Sequence, residues 1–507
     1  MTKIGIDFGT TNSCLVAYDK KSGKFEHFHE EGGVPKPFPS VVWYHDNNIT
    51  VGKKAKESIN RLATDSGHCH VSSIKSKLGT GQEISILGTL RPPFVVAAEI
   101  IRYLKSNAIR KIAENAGVEL HQAVFTVPVN FSGKKRMDLR RAAREAGIEV
   151  LTFIHEPFAA IIGYFFNNRA EVPIINYDGK CFLVFDWGGG TLDITVAKSE
   201  GTRLFELSTS EMTGKAGDAF DGYLFHYCCA RFIEKNRDKY DEEIIIAALE
   251  RKRDILLAAA EKCKIELSTS ETTIFDGGEV NFSLRDGTFE YEEFVETVTR
   301  EEFEKLIMSD IEAAIGKIDT AIRAAGINPE QISLVLPIGG SAQIPLVEKT
   351  LRDRFGYKVK TIANPDTVIA EGAAVVAEMN WRPFLSKNIM VELSDGSFWT
   401  TFERNTLLTG ALPPKKETFT CVDFRDSEAK IILVEGVSST SAKKVLGVLN
   451  VPTAKRGDLP PGVLCDDIEI YFEIDNDFVL TAKGHSKYRG HRTTLEIHEI
   501  CFGIDMR

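Results

Sequence analysis

"CFLVFDWGGGTLDITVAKS" (residues 181–199) runs an apolar strand into Asp186, turns on three glycines and Thr191, and leaves as a second strand. At the start of the chain, "MTKIGIDFGTTNSCLVAYD" (residues 1–19) has the same order: strand, Asp7, aromatic, glycine, small residues, threonine, strand. Ile4, Ile6 and Phe8 mark the incoming strand, and Leu15, Val16 and Ala17 the outgoing one. Two copies of one device predict an internal repeat, with two lobes using the same turn. Glycines let the backbone approach an anion, and successive N–H groups in such a turn form an anion-binding hollow. Gly9, Gly188, Gly189 and Gly190 supply that backbone, with Asn12 beside the first turn. The hydroxyls of Thr10, Thr11 and Thr191 can donate to phosphate oxygens. Carboxylates repel phosphate unless a cation lies between, so Asp7 and Asp186 imply Mg²⁺ held partly through its waters. One such turn alone is equally a tight hairpin; the matched pair points to phosphate. The chain has no G-x-x-x-x-G-K-[ST], which excludes a P-loop.

A chain of 507 residues is too long for one ordinary core, and about two to four folding units are expected. With 43% apolar and 26% charged residues, the composition is that of a soluble globular protein. The formal net charge of −10 argues against a nucleic-acid partner. No stretch approaches the run of about 18 to 20 apolar residues that a membrane helix needs. The chain moves straight into a strand without a secretory leader, and its nine cysteines include no C-x-x-C. Reduced thiols and a cytoplasmic location are therefore expected. His68-Cys69-His70 lacks a second ligand pair at structural-zinc spacing, and Cys14 reads as a small strand residue.

Up to about residue 380 strand-like and helix-like segments alternate, as in an α/β region. Residues 96–116, 243–267 and 301–325 carry helical periodicity, the first and last followed by Gly117 and Gly326. Residues 123–127, 181–185 and 332–338 fit buried strands. After Trp381 the helical period disappears. Short strand runs follow at 389–393, 419–424, 430–434, 445–451, 468–474, 479–482 and 493–500, separated by turn-rich stretches. An antiparallel sandwich is expected there. The domains expected are 1–380, a short linker at 381–388 ("WRPFLSK" and the residue after it), and the sandwich at 389–507.

"GIDFGTTNS", "IHEPFAAIIGY", "VFDWGGGTLDIT", "AGDAFD", "AEKCKIELS", "PIGGSAQIP" and "NPDTVIAEGAA" occur in the order found in the 70-kilodalton heat-shock chaperone family, the DnaK-like proteins. The strands after residue 388 also resemble that family's peptide-binding β-sandwich. The resemblance covers nearly the whole chain. It implies a two-lobed actin-like ATPase domain with ribonuclease-H-like duplicated lobes, followed by an all-β sandwich domain. It implies that Thr10 and Thr11 bind the β- and γ-phosphates of ATP, that Asp7 and Asp186 anchor the waters of Mg²⁺, and that Thr191 touches the γ-phosphate. Lys75, in "SSIKSKLG", matches the catalytic lysine, and Glu156, in "HEPFAA", orders the attacking water or takes its proton from beside the metal. His155 stands where the family usually has asparagine. Asp193 steadies the turn, and Gly217 with Asp218 closes over the phosphates. Glu261, Lys264 and Ser268 share one helical face and hold the nucleoside, with Gly339, Gly340, Ser341, Gln343 and Asp366 completing the adenosine pocket. Gln343 replaces an arginine that commonly lies against adenine, so weaker nucleotide binding is expected.

The resemblance implies an ATP-driven chaperone, a slow ATP hydrolase whose cofactors are ATP or ADP and Mg²⁺, with K⁺ a further candidate. Its partners would be extended apolar polypeptide, a co-chaperone and a nucleotide exchange factor, with the chain itself a monomer. Two departures stand out: "FLSKNIMVEL" is a poor copy of the leucine-rich acidic linker, and the helical lid is expected to be missing. Two other readings remain. A small-molecule kinase of the same superfamily would transfer phosphate to a sugar and have no use for the sandwich. A non-catalytic nucleotide-gated module would bind ATP without turnover.

Overall fold

The first glycine turn joins β1 (Lys3–Phe8) to β2 (Asn12–Asp19), and β3 (Lys24–Phe28) continues the antiparallel set. β4 (Gln122–Val127) lies parallel to β1, and β5 (Glu149–His155) parallel to β4. The order is β5-β4-β1-β2-β3, with Phe38–Pro39 paired to β2. The second turn repeats the plan. β6 (Cys181–Trp187), β7 (Thr191–Glu200) and β8 (Arg203–Thr213) run antiparallel, and β9 (Ile332–Ile338) lies parallel to β6. The register sets Asp7 opposite Cys14 and Asp186 opposite Asp193, so the repeat read from sequence is also a repeat of sheet position. This computed structural model describes residues 3–28, 37–45, 48–62, 67–113, 120–168, 174–283, 288–421, 427–438 and 441–507.

Of the helices that place the site, α1 (Gly133–Glu145) covers the outer side of the first sheet, and α2 (Glu156–Asn167) starts directly from β5. α3 (Gly217–Asn236) and α4 (Arg253–Leu267) belong to the second lobe, and α5 (Val368–Met379) returns to the first sheet. α2 and α5 lie between the two sheets. Their Phe158, Ile161, Ala373 and Val376 share one core with Val16 and Val124 of the first sheet and Val184 and Leu336 of the second. The two helices cross with backbones touching: a Cβ on Gly372 would stand 1.8 Å from Ala159 O, and one on Gly163 2.2 Å from Val368 O. Gly372→Ala should therefore push the helices apart and cost about 1–3 kcal/mol, read as a lower urea midpoint. An unchanged midpoint would mean that the crossing has room to spare.

The expected helix at 96–116 runs from Pro93 to Ala113, and Gly117 falls outside the described residues. The one expected at 301–325 is Arg300–Ala324, started by a Thr299–Glu302 capping box. The expected helix at 243–267 is two helices, Glu242–Arg251 and α4, broken at Lys252. The Lys252 ammonium donates to the carbonyls of Gly277 and Glu279, both at 2.7 Å, a tertiary tie that no helical period reveals.

Beyond Trp381 two four-stranded antiparallel sheets follow. One has the order Phe398–Phe402, Asn388–Glu392, Glu428–Gly436, Lys444–Pro452; the other Lys415–Cys421, Asp466–Ile474, Leu480–Ser486, Arg492–Ile497. In Asp466–Ile474 the alternation holds: Ile468, Ile470, Phe472 and Ile474 are buried, while Glu469, Tyr471 and Glu473 are not. Phe398–Phe402 went unread because Thr400 and Thr401 interrupt its apolar residues. The end of the strand expected at 419–424 lies outside the described residues.

The expected linker at 381–388 contains a strand, β10 (Arg382–Leu385), and a further strand, β11 (Phe502–Asp505), follows the sandwich. Both belong to the second lobe's sheet, whose order is β9-β6-β7-β8-β11-β10. The sandwich also rests on α1. Gly133 N donates to His498 O at 2.9 Å. Arg136 donates to the carbonyls of Asp477 (2.7 Å), His498 (3.0 Å) and Phe131, and Arg140 to the Asp477 carboxylate and Asn476 O, both at 2.7 Å.

Candidate functional site

The two turns follow the carboxyl ends of β1 and β6 and meet where the lobes face each other. A Cβ on Gly189 would stand 3.0 Å from Thr11 Oγ1 and 2.9 Å from Asp218 Oδ1. Ser40 braces the first turn, its hydroxyl donating to Gly9 O at 3.0 Å and its amide to Thr11 O at 2.8 Å. The start of α3 braces the second: the amides of Gly217 and Asp218 donate to Gly188 O (3.1 Å) and Gly189 O (2.8 Å). Ser341 Oγ adds a bond to Gly188 O at 2.9 Å. Gly339, at φ +82°, would set a Cβ 2.6 Å from Trp187 O and 2.8 Å from Asp186 Oδ1, so only glycine fits.

Four carboxylates gather around one ammonium. Lys75, on the short helix Ile74–Lys77, donates to Glu156 Oε1 at 2.6 Å, and both side chains are buried. Thr126 donates to Asp7 Oδ1 at 2.6 Å, and Thr191 to Asp193 Oδ2 at 3.0 Å. Burial pulls the Lys75 pKa down, but Glu156, Asp7 and Asp186 outweigh it and hold it above the ordinary lysine value. Burial pushes Glu156 up despite Lys75. Asp186 rises well above the carboxylate range through burial, then Glu156, Asp193 and Asp7. Burial also raises Asp193. The shifts agree: the cluster carries more negative charge than Lys75 neutralises, which a divalent cation would relieve. Among the described residues no three His, Cys, Asp or Glu converge to grip an ion directly. The donor set thus suits an ion that keeps most of its waters.

His155, immediately before Glu156, is buried, and neither ring nitrogen has a hydrogen-bond partner. It packs on Phe158 and, at 3.9 Å between centroids, on Phe502. Burial, then the Arg136 charge, lowers its pKa from 6.5 to about 3. The unfolded chain therefore binds this proton more readily. The stabilisation is complete above pH 6.5 and is lost as pH falls towards 3. His155→Leu should gain about 1–2 kcal/mol at neutral pH by removing two unpartnered nitrogens, and should flatten the acid loss. Urea midpoints at pH 7 and pH 5 check this; a variant less stable at pH 7 would contradict it.

Of the residues expected to hold the nucleoside, Glu261 and Lys264 share the expected face of α4 and each has a partner within the protein. Lys56 of the helix Lys53–Leu62 grips Glu261 at 2.8 and 2.9 Å across the gap. Lys264 pairs with Asp221 at 2.7 Å and donates to Gly217 O at 2.9 Å. Ser268 and Gln343 line one open groove of about 430 Å³, with Glu348 and Arg352. Asp366 does not line that groove; it acts on Cys14, whose thiol is raised by burial first and then by Asp7, Glu371 and Asp366. Thr10 lies in the first turn and Asn12 opens β2 directly after it; Gly190 lies in the second turn, and both it and Gly340 have open space around them. The reading from sequence omitted Thr126, Lys56 and Asp221. Only Asp221 had a local signal, three residues after Asp218 in "AGDAFD". The His68-Cys69-His70 run forms a strand whose imidazoles, with His45, stack on Trp43.

Comparison with protein-family models matches residues 3–501 to the family described as Hsp70 protein. The match spans nearly all of the 507 residues, and the chain belongs to the Hsp70 family, a class of ATP-dependent chaperones. Among the described residues no helix is long and apolar enough to cross a membrane.

Proposed function

We propose that the chain is a two-lobed actin-like ATPase with a peptide-binding β-sandwich, and that it binds Mg·ATP between the turns and hydrolyses it slowly. Thr10, Thr11, Thr191 and the glycine amides would hold the phosphates, and Asp7, Asp186 and Glu156 the metal's waters. Bound Mg²⁺ would neutralise charge on the phosphates; K⁺ is a second candidate ion. Lys75 would place its charge on the γ-phosphate, and Glu156 would take the proton of the attacking water. The observation that carries this reading is the buried Lys75–Glu156 pair, set among three further carboxylates where both turns meet. Burial raises Glu156 towards the working range of a general base.

Hydrolysis would then shift the lobes and change how the sandwich holds extended apolar peptide. A chain of contacts supports that coupling. The Lys75 ammonium lies 5.9 Å from the Phe131 ring centroid, Arg136 binds the Phe131 carbonyl, and the same guanidinium binds Asp477 and His498 of the sandwich. A co-chaperone, an exchange factor, a cytoplasmic location and a monomeric state belong to the same reading. Titration calorimetry with Mg·ATP should show saturable binding, and phosphate should appear slowly in single-turnover incubations. Absence of binding at millimolar nucleotide would overturn the proposal; binding with no phosphate release would leave a nucleotide-gated module.

A further inference from the structure

β11 stands between β8 and β10 in the second lobe's sheet. On one side it pairs with β8, Arg203 opposite Asp505 and Leu204 opposite Ile504. On the other it pairs along its whole length with β10, from Arg382 opposite Asp505 to Leu385 opposite Phe502. In the sheet, therefore, β10 reaches β8 only through β11. Side chains fix the register. Asp505 is 3% exposed and accepts from Arg203 Nε at 3.0 Å and Thr202 Oγ1 at 3.2 Å, and Met506 N donates to Thr202 O at 2.8 Å. Gly503 lets the strands close: a Cβ would stand 2.4 Å from Leu204 O and 2.8 Å from the Phe384 ring. Phe502 is buried against His155 and Phe478. Just before β11, Ser386 N donates to Cys501 O at 3.1 Å, and Lys387 pairs with Glu435 of the sandwich at 3.3 Å.

We propose that residues 501–507 are a strap seated in a strand-acceptor slot between β8 and β10, and that this strap, and not β10 itself, fastens the second lobe to the sandwich. The slot's ligand is an extended segment with a glycine facing Leu204 and a carboxylate two residues later for Arg203. Main-chain pairing on both edges supplies the attachment, as in strand addition, and an emptied slot would leave two unpaired edges.

Hydrogen exchange on the full chain without nucleotide tests this independently of any ATPase activity. Deleting residues 501–507 should speed exchange in β10 and at residues 203–205 by about tenfold or more, while β1, β6 and Asp466–Ile474 keep their protection. Adding a synthetic peptide of residues 499–507 to that variant should restore the lost protection. Gly503→Val should reproduce the effect locally, and it decides the matter if the deletion fails to fold. Unchanged protection of β10 would overturn the proposal. So would loss of protection throughout the chain in Gly503→Val, or a folded deletion variant that the peptide fails to restore.

Discussion

Replacing Lys75 with alanine should slow single-turnover ATP hydrolysis by about 100- to 1000-fold while nucleotide still binds. Its ammonium is held by Glu156 at 2.6 Å and by the field of Asp7 and Asp186, all of which keep it charged. A preorganised buried charge acts mainly on the charge that develops during phosphoryl transfer, so the loss falls on the rate more than on binding. Fold stability should change little, because the freed Glu156 is already pushed towards its neutral form by burial and can keep its proton. Rapid-quench measurement of phosphate on wild type and variant checks this. A variant within a fewfold of wild type would remove Lys75 from the chemistry.

The second large effect is expected at Arg136. Its guanidinium is 2% exposed and spans three carbonyls, Phe131 in its own lobe and Asp477 and His498 in the sandwich. Burial lowers its pKa to about 10, still far above neutrality, so the charge is present in the assembled molecule. Arg136→Ala would strip charge-assisted bonds from all three carbonyls at once, costing about 3–5 kcal/mol. Part of the loss should appear as detachment of the sandwich, seen as a larger radius of gyration in X-ray scattering. Arg136→Lys should rescue poorly, because one ammonium cannot reproduce a planar fork. Unaltered scattering and urea midpoint would show that Arg140 and the strap suffice.

Some of this was legible in the sequence. The two Asp–Gly turns announced the repeat because each needs glycine and a carboxylate at fixed positions, and the register of Asp7 and Asp186 bears that out. The resemblance to the heat-shock family agrees with the family match over residues 3–501. What stayed hidden depends on long-range contact. The break at Lys252 comes from carbonyls 25 and 27 residues away. Lys56 meets Glu261 across the gap between lobes, and Thr126 reaches Asp7 from a neighbouring strand. β10 and β11 are short runs that become strands by pairing with each other and, for β11, with β8, so neither carried a period to read.

The most direct test of nucleotide-controlled peptide binding is the dissociation rate of a fluorescent, extended apolar peptide in saturating Mg·ATP and in Mg·ADP. If the cleft governs the sandwich through Phe131 and Arg136, the peptide should leave about tenfold or more faster in one nucleotide than in the other, and Arg136→Ala should erase the difference. Equal rates in both nucleotides for the wild-type chain would contradict the coupling.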